Sequence, residues 1–159
     1  MLGGRTAHSR VKIPIKLEND SFCLITKQSN LAALLRETKL IIWDEAPMAS
    51  CLAMEALDRS LQDIMNNDLP FCGKVIVFGG DFRQVLPVVR KGSRPEIVNA
   101  SLLESRLWTH NKVFKRRLNM QAREALEFAD FLMEVGNGTR VYVREEYICL
   151  PVQMVVCPS

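Results

Sequence analysis

The clearest pattern along the chain is a pair of short apolar runs that end at acidic or glycine-rich positions. Residues 40–43 read LIIW and precede Asp44 and Glu45, whereas residues 74–78 read KVIVF and precede the GGD of residues 79–81. A continuous apolar run of this length is typical of a strand covered on both faces in a parallel sheet. The pattern therefore predicts two buried parallel strands, each followed by an acid.

Helical periodicity lies between and before these strands. Serine is a preferred residue at the start of a helix, because its side chain accepts a hydrogen bond from a free backbone N–H group. Ser29 and Ser50 each precede apolar residues at helical spacing, which predicts helices after both, the second ending at residues 66–68. The apolar positions are Leu31, Leu34 and Leu35 in the first helix and Met54, Leu57, Leu61 and Ile64 in the second.

The second half of the chain has weaker patterns. Pro95 and the window 101–108 predict a further short helix, residues 113–118 a weaker strand, and residues 125–133 an amphipathic helix that ends at Gly136. Residues 140–159 are compatible with one or two strands. Alternation of strands and helices indicates an α/β fold, with a mainly parallel sheet, helices on both faces and ligands beyond the carboxyl ends of the strands.

Composition narrows the class of protein without deciding its function. The chain has 159 residues, of which 48% are hydrophobic and 25% charged, as in ordinary globular domains. Since no apolar run approaches about 18 residues and the first residues lack a signal peptide, we expect an intracellular protein without a membrane segment. The five cysteines contain no C-x-x-C pair, which favours reduced thiols over a zinc site. A net charge of +3 permits contact with nucleic acid but does not demonstrate it.

The acids after the first strand suit a site that hydrolyses phosphate bonds. One carboxylate can hold Mg²⁺ while its neighbour orients or deprotonates water, so Asp44 is the candidate metal ligand and Glu45 the candidate base. The alternative is an ordinary solvated turn, which acidic pairs at strand ends often form. The second strand favours the functional interpretation, because it ends at Asp81 and could bring Gln84 to the same phosphate or water.

Three longer stretches resemble motifs of the PIF1 family of DNA helicases. Residues 41–48, IIWDEAPM, are similar to helicase motif II, residues 78–89, FGGDFRQVLPVV, to motif III, and residues 3–10, GGRTAHSR, to motif Ia. Motifs II and III are long, specific and in the expected order. The resemblance is strongest to the branch associated with plant genomes and Helitron transposons. Shorter similar stretches are residues 97–102 and 118–120.

The resemblance implies a partial RecA-like P-loop NTPase domain in residues 1–139, with residues 140–159 as a tail or the start of another unit. It further implies an ATP-dependent, superfamily-one DNA helicase that moves five-prime to three-prime on single-stranded DNA, with ATP and Mg²⁺ as cofactors. A nuclear location and roles in DNA repair, recombination or telomere maintenance are the corresponding expectations.

The same resemblance suggests roles for individual residues. It assigns Asp44 to Mg²⁺, Glu45 to water activation, and Gln84 to sensing the γ-phosphate and linking it to DNA. The other expected contacts are Gly80 and Asp81 at the nucleotide and Thr6, His8 and Ser9 along the DNA strand.

Two departures from the family pattern leave alternatives open. The P-loop pattern G-x-x-x-x-G-K-[ST] does not occur, since the single Gly-Lys pair, Gly73 and Lys74, precedes a strand. Gln121 stands where the family has an arginine suited to the γ-phosphate. We therefore expect the chain alone to be inactive and a P-loop to be encoded upstream of Met1. The alternatives are a non-catalytic helicase remnant that binds DNA or a partner without ATP turnover, and an unrelated magnesium phosphohydrolase.

Overall fold

The computed structural model describes residues 4–115, 126–139, 142–144 and 147–150. The chain forms two compact units, Met1–Asn111 and Lys112–Ser159, which we call the first and second units and describe separately. The predicted division of the chain into residues 1–139 and 140–159 stays a prediction.

A two-stranded parallel sheet lies in the first unit. Strand β1, Leu40–Trp43, pairs with β2, Val75–Phe78, in a register that places Trp43 beside Phe78. Parallel strands need a crossover connection, and the helix α3, Cys51–Met65, lies between them in the chain. The predicted strands and their parallel pairing are therefore present, and both carboxyl ends lie at the same edge.

The two faces of this sheet differ in cover. Successive side chains of a strand point to opposite faces of the sheet. Every second residue therefore points to the core, and the residues between them point outward. The apolar runs predicted that other elements pack on both faces of the sheet. Among the described residues, the side chains on one face are about half exposed. The inward residues are Ile41, Trp43, Ile76 and Phe78, and the exposed ones are Leu40, Ile42, Val75 and Val77.

Helix α3 forms the centre of the hydrophobic core. It begins after Ser50, whose side chain accepts a hydrogen bond from the Leu52 N–H group, and ends at Asn66, which has a left-handed backbone. The preceding helix α2, Asn30–Glu37, begins after Ser29 in the same manner. Both predicted helix starts are confirmed. Side chains of α3 that are essentially inaccessible to solvent are Met54, Leu57, Asp58 and Leu61.

Smaller helices complete the first unit. They are α1, Ala7–Val11, and α4, Arg94–Asn99, with 3₁₀ turns at Ala46–Met48, Pro70–Gly73, Leu102–Glu104 and Trp108–His110. The short helix predicted from Pro95 is present as α4, whereas the window 101–108 contains only 3₁₀ turns, so the prediction is wrong for that window. The Ser101 hydroxyl accepts from the Leu103 N–H group and the Ser105 hydroxyl from that of Leu107, which satisfies the backbone without a regular helix.

The second unit contains a helix and a short hairpin. Helix α5, Leu126–Asn137, continues past the predicted end at Gly136 and stops before Gly138, whose φ is +67°. Strands β3, Tyr142–Arg144, and β4, Tyr147–Ile148, pair antiparallel, in agreement with the strands considered for this region. Residues 111–115 have no regular structure, and the rest of the weak strand predicted at 113–118 lies outside the described residues. So do the 118–120 stretch and Gln121.

Four cysteines within the described residues are free thiols, with Cys23, Cys51 and Cys72 buried and Cys149 exposed. Burial raises the pKa of each of the three buried thiols. Across the same described stretches, no helix is long and apolar enough to cross a membrane.

Candidate active site

Asp44 and Gly79 lie side by side just beyond the ends of β1 and β2. The Gly79 N–H group donates to the Trp43 carbonyl oxygen at 2.9 Å, which extends the parallel ladder by one residue. A Cβ atom at position 79 would lie 3.1 Å from Asp44 Oδ1, so the absent side chain leaves the carboxylate room. The strand register thus brings the acid of one motif against the glycine of the other.

Glu45 turns the chain away from the sheet. Its backbone is left-handed, with φ 52° and ψ 35°, and the 3₁₀ turn Ala46–Met48 follows directly. The Glu45 N–H group donates to Asp44 Oδ1 at 3.1 Å, and the Ala46 N–H group donates to the Gly79 carbonyl oxygen at 2.9 Å. Glu45 is exposed, and within the described part of the chain its carboxylate has no hydrogen bond or ion pair. The carboxylate is therefore available to a ligand or to water.

Gly80 brings the two loops into close contact. Its φ is +148°, and a Cβ atom there would lie 2.3 Å from Pro47 Cδ. The position needs glycine because the loop after β2 packs against the loop after β1. This packing accounts for Gly80 without any contact to a nucleotide, so its predicted role at the nucleotide remains a prediction.

Asp81 and Arg83 form a local ion pair in the turn that follows Gly80. The Arg83 guanidinium donates to Asp81 Oδ1 and to Oδ2, each at 3.0 Å, and the Arg83 N–H group also reaches Oδ1 at 3.0 Å. The hydrogen bonds from the Arg83 side chain and backbone hold the pKa of Asp81 below its ordinary value. The carboxylate therefore stays charged, and its hydrogen bonds with Arg83 stabilise the turn.

Gln84 closes this turn by donating its backbone N–H group to the Asp81 carbonyl oxygen at 3.1 Å. The residue is exposed, and its side chain makes no hydrogen bond to any described residue. Asp44, Glu45 and Gly80 therefore lie at one edge of the sheet, and the Asp81–Gln84 turn continues from that edge.

The residues predicted to meet DNA lie at the start of α1. The Thr6 hydroxyl accepts from the Ser9 N–H group at 3.3 Å and caps this short helix, and His8 is exposed. No hydrogen bond or ion pair of the described residues joins these three side chains to the 44–48 or 79–84 loops. Their surface position is compatible with the predicted role but does not test it.

An aromatic pair beside the site was not predicted from the sequence. The rings of Phe82 and Trp108 meet edge to face, with centroids 5.6 Å apart and an interplanar angle of 81°. Together with Pro47, Phe78 and Leu102 they line a small cavity of about 40 Å³. Trp108 is half-buried and packs against the hydrophobic core. The pattern of apolar residues could not reveal that its partner is in motif III.

Asp58 is a second residue that the sequence analysis missed. It is fully buried in α3 and accepts hydrogen bonds from the Phe71 N–H group at 2.6 Å and the Arg106 guanidinium at 3.0 Å. Its signal in the sequence was an acid on the apolar face formed by Met54, Leu57 and Leu61. A charge at such a position is almost always paired, so it indicates a structural partner.

Mg²⁺ chemistry is compatible with the donor set near Asp44. No cluster of three or more His, Cys, Asp or Glu side chains that could enclose a metal occurs among the described residues. Mg²⁺ does not need one, since it commonly binds one or two carboxylates together with waters and substrate phosphates. Asp44 fits this requirement, because it is exposed and, among the described residues, its carboxylate has a hydrogen bond from the adjacent Glu45 N–H group alone.

The Lys74 side chain binds backbone carbonyl oxygens. Its ammonium group donates to the carbonyl oxygens of Thr38 at 2.7 Å and Arg36 at 3.1 Å, at the carboxyl end of α2. The Gly73–Lys74 pair therefore ties a helix end to the sheet and does not form a phosphate loop.

Comparisons with known proteins identify the family of the chain. The sequence model of the PIF1-like helicase family matches residues 1–146. The ATP-dependent DNA helicase RRM3 of Saccharomyces cerevisiae is 28% identical over 151 residues, which are 87% of this chain and 21% of the relative. The ATP-dependent DNA helicase Pif1 of a Psychrobacter species is 32% identical over 93 residues, or 57% of this chain and 14% of the relative.

Solved structures confirm the fold class. The Candida albicans Pif1 helicase superposes with a TM-score of 0.69 and 25% identity over 85% of this chain and 30% of that protein. A Bacteroides Pif1 bound to single-stranded DNA gives 0.65 and 26% over 86% of this chain and 33% of that protein. The predicted α/β, RecA-like fold is thus confirmed. The chain spans about a fifth or less of the curated relatives and about a third of these solved chains.

Proposed function

Because the chain belongs to the PIF1-like helicase family, we propose that it supplies the magnesium-binding and water-activating part of the motor of an ATP-dependent DNA helicase. The observation that carries the proposal is the register of β1 and β2, which places Asp44 against Gly79. Motifs that are far apart in the sequence thereby share one edge of the sheet. Ligands of parallel α/β sheets bind at this edge.

Asp44 is the proposed ligand of Mg²⁺ at this edge. Within the described part of the chain its carboxylate has one hydrogen bond, from the Glu45 N–H group, and retains lone pairs for a cation. When bound together with ATP, Mg²⁺ would neutralise part of the charge on the β- and γ-phosphates.

Glu45 is proposed to orient the attacking water and accept its proton. The carboxylate is exposed and unpaired among the described residues, so no protein group competes for its lone pairs. Gln84 is proposed to sense the γ-phosphate and to link it to DNA, since its side-chain amide has no hydrogen bond to a described residue and can both donate and accept one. Asp81 contributes indirectly, because its ion pair with Arg83 organises the turn that carries Gln84.

Single-stranded DNA is the proposed track of the motor, and Thr6, His8 and Ser9 are the proposed contacts. Their exposure at α1 supports this assignment, as does the Bacteroides relative that was solved with single-stranded DNA. Movement in the five-prime to three-prime direction, roles in repair, recombination or telomere maintenance, and a nuclear location are proposals that rest on the family resemblance alone.

Hydrolysis requires a phosphate-binding loop in addition to these residues, and these 159 residues contain no P-loop pattern. Phosphoryl transfer depends on positioning and charge stabilisation by all parts of the site. We therefore expect the 159-residue polypeptide to bind Mg²⁺ and ATP weakly and to hydrolyse ATP at the rate of a buffer blank.

Paramagnetic broadening tests the metal site directly in this chain. When Mn²⁺ with ATP is titrated into the ¹⁵N-labelled chain, the NMR signals of Asp44, Glu45, Gly79 and Gly80 should broaden before the others. Asp44→Asn should remove this selectivity. Asp63→Asn is the matched control, because Asp63 is an exposed acid of α3 that pairs with Lys27. Broadening that is uniform, or that persists in Asp44→Asn, would contradict the proposal.

A further inference from the structure

The stretch that leads from the Asp81–Gln84 turn to helix α4 is rich in positive charge. Residues 82–95 contain four cationic side chains and no acid, whereas the whole chain has a net charge of +3. The cations are Arg83, Arg90, Lys91 and Arg94. This stretch alone therefore carries more net positive charge than the complete chain. Charges of one sign that are close together attract anionic ligands even when the net charge of a protein is small.

A β-turn presents two of these cations to solvent. The Gly92 N–H group donates to the Val89 carbonyl oxygen at 3.0 Å, which closes a four-residue turn. Arg90 and Lys91 occupy its two central positions, and Lys91 has a left-handed backbone with φ +58°. Both side chains are exposed, as is that of Arg94 two residues after the turn. The backbone therefore places three cationic side chains on the surface within five residues.

The acids that border this stretch have partners of their own. Asp81 pairs with Arg83 at 3.0 Å. Glu96 Oε2 accepts from the Ser93 N–H group at 2.6 Å and from the Ser93 hydroxyl at 2.7 Å. Neither carboxylate therefore neutralises the other three cations. The side chains that make no hydrogen bond or ion pair to any described residue are those of Arg90, Lys91 and Arg94.

We propose that Arg90, Lys91 and Arg94, which we call the basic turn, bind the phosphate backbone of single-stranded DNA. The inference rests on the proposed function, in which single-stranded DNA is the track of the motor. It adds a contact surface to the one proposed at helix α1. Lysine and arginine side chains that meet phosphates supply affinity without reading the base sequence, which suits a motor that moves along any sequence.

The position of the basic turn in the chain favours DNA over an acidic protein as its ligand. Arg90 follows Gln84 by six residues, so their Cα atoms are at most about 22 Å apart. Gln84 is the residue proposed to link the γ-phosphate to DNA. A strand that passes the Asp81–Gln84 turn is therefore within reach of the basic turn, and the phosphate contacts would hold the track near the site of hydrolysis.

The salt dependence of DNA binding tests this surface directly. Fluorescence anisotropy with a labelled oligothymidylate gives the affinity of the 159-residue chain over a range of salt concentrations. The triple variant Arg90→Gln, Lys91→Gln, Arg94→Gln should bind about 10- to 100-fold more weakly at roughly 0.1 M salt. The slope of log K against log salt should become shallower by about 2, since each phosphate contact to a single strand contributes about 0.7.

Two control variants separate local contacts from net charge. A second triple variant, with glutamine at three exposed lysines elsewhere in the first unit, removes the same charge and should keep the slope of the unsubstituted chain. These lysines are Lys16, Lys27 and Lys39. Arg90→Lys combined with Arg94→Lys keeps the charge of the basic turn and should also keep the slope. Circular dichroism and urea unfolding should show that all three variants are folded.

Three results of these titrations would overturn the proposal. The first is a slope in the basic-turn variant equal to that of the unsubstituted chain. The second is an equal change in the lysine control, because net charge alone would then explain the binding. The third is loss of binding to polyglutamate with unchanged binding to DNA, which would identify a surface for an acidic protein.

The Mn²⁺ titration distinguishes failure of this inference from failure of the proposed function. Selective broadening at Asp44, together with an unchanged DNA slope in the basic-turn variant, would overturn the basic turn alone. Absence of selective broadening in the unsubstituted chain would overturn the proposed metal site and leave the result on the basic turn standing. If the unsubstituted chain failed to bind DNA even at low salt, the proposed track and the basic turn would both be overturned.

Discussion

The carboxylate of Asp44 lies against the backbone of Gly79, and a Cβ atom on that glycine would come within 3.1 Å of Asp44 Oδ1. The two residues are far apart in the sequence, and the parallel pairing of β1 with β2 brings them together. The loops beyond the strands are interlocked in the same place, since the Gly79 carbonyl accepts from the Ala46 N–H group and Gly80 packs on Pro47. Substitutions at the two glycines should therefore report on the site and on stability together.

Gly80→Ala should lower the free energy of unfolding of the chain by about 2–4 kcal/mol, because the new Cβ would clash with Pro47 and the positive φ disfavours alanine. Gly73→Ala is the matched control. Gly73 also has a positive φ, +71°, but the nearest atom to its added Cβ is 3.7 Å away. It should cost only about 1 kcal/mol. Urea denaturation followed by circular dichroism measures both, and equal losses would show that the clash with Pro47 is unimportant.

Asp58→Ala should destabilise the chain by about 2–4 kcal/mol, because it leaves the buried Phe71 N–H group without its acceptor. Asp63→Ala, on the same helix, should cost no more than about 1 kcal/mol, since its ion pair with Lys27 is exposed. The comparison keeps the residue type and the helix constant and changes the burial of the carboxylate and its partners. Thermal and urea unfolding should rank the variants in this order, and similar values would refute the central role of Asp58.

The Asp81–Arg83 ion pair should make the turn sensitive to acid. Since the pKa of Asp81 is lowered in the folded chain, the pair stabilises the turn above the ordinary aspartate pKa and is lost as pH falls through the lowered value. An NMR titration of the Asp81 carboxyl group should therefore give a midpoint below that of an unperturbed aspartate. Arg83→Gln should raise the midpoint. Glu96, whose pKa is lowered by hydrogen bonds from Ser93, should titrate as before and serves as the internal control.

Glu45→Gln should block turnover but not nucleotide binding in a longer protein that joins this chain to a P-loop-bearing segment. Loss of a general base commonly lowers kcat by about 100-fold or more. ATP affinity should change by less than about threefold, because the role proposed for Glu45 is on water and not on the nucleotide. Glu37→Gln, an exposed substitution in α2, is the control. If affinity for ATP fell together with kcat, Glu45 would have a binding or structural role.

Local signals in the sequence predicted the elements that carry the site. The apolar runs ending at Trp43 and Phe78 correspond to β1 and β2, and Ser29 and Ser50 begin α2 and α3 as expected. These features depend on neighbouring residues, which are visible in a single sequence. The order of the two acidic loops along the chain could therefore be predicted from the sequence.

Features that depend on contacts between distant residues could not be predicted from the sequence. The partners of Asp58 include Arg106, which is 48 positions away, and Trp108 contacts Phe82 across an intervening stretch that includes α4. The exposed face of the sheet is another example, because the alternation of Ile41 and Ile42 between faces is hidden when both positions are apolar. Periodicity shows which residues are apolar but not which face has a covering partner.

Under the proposed function, the left-handed backbone of Glu45 opposes stability to activity at one position. A residue with a side chain loses roughly 1–2 kcal/mol in this conformation relative to a right-handed one, whereas glycine adopts it freely. A protein engineer who optimises this loop for thermal tolerance would therefore select glycine or asparagine at position 45 and would discard the carboxylate. Under the proposed function, a glutamate kept at this position preserves the carboxylate at a cost in the stability of the loop.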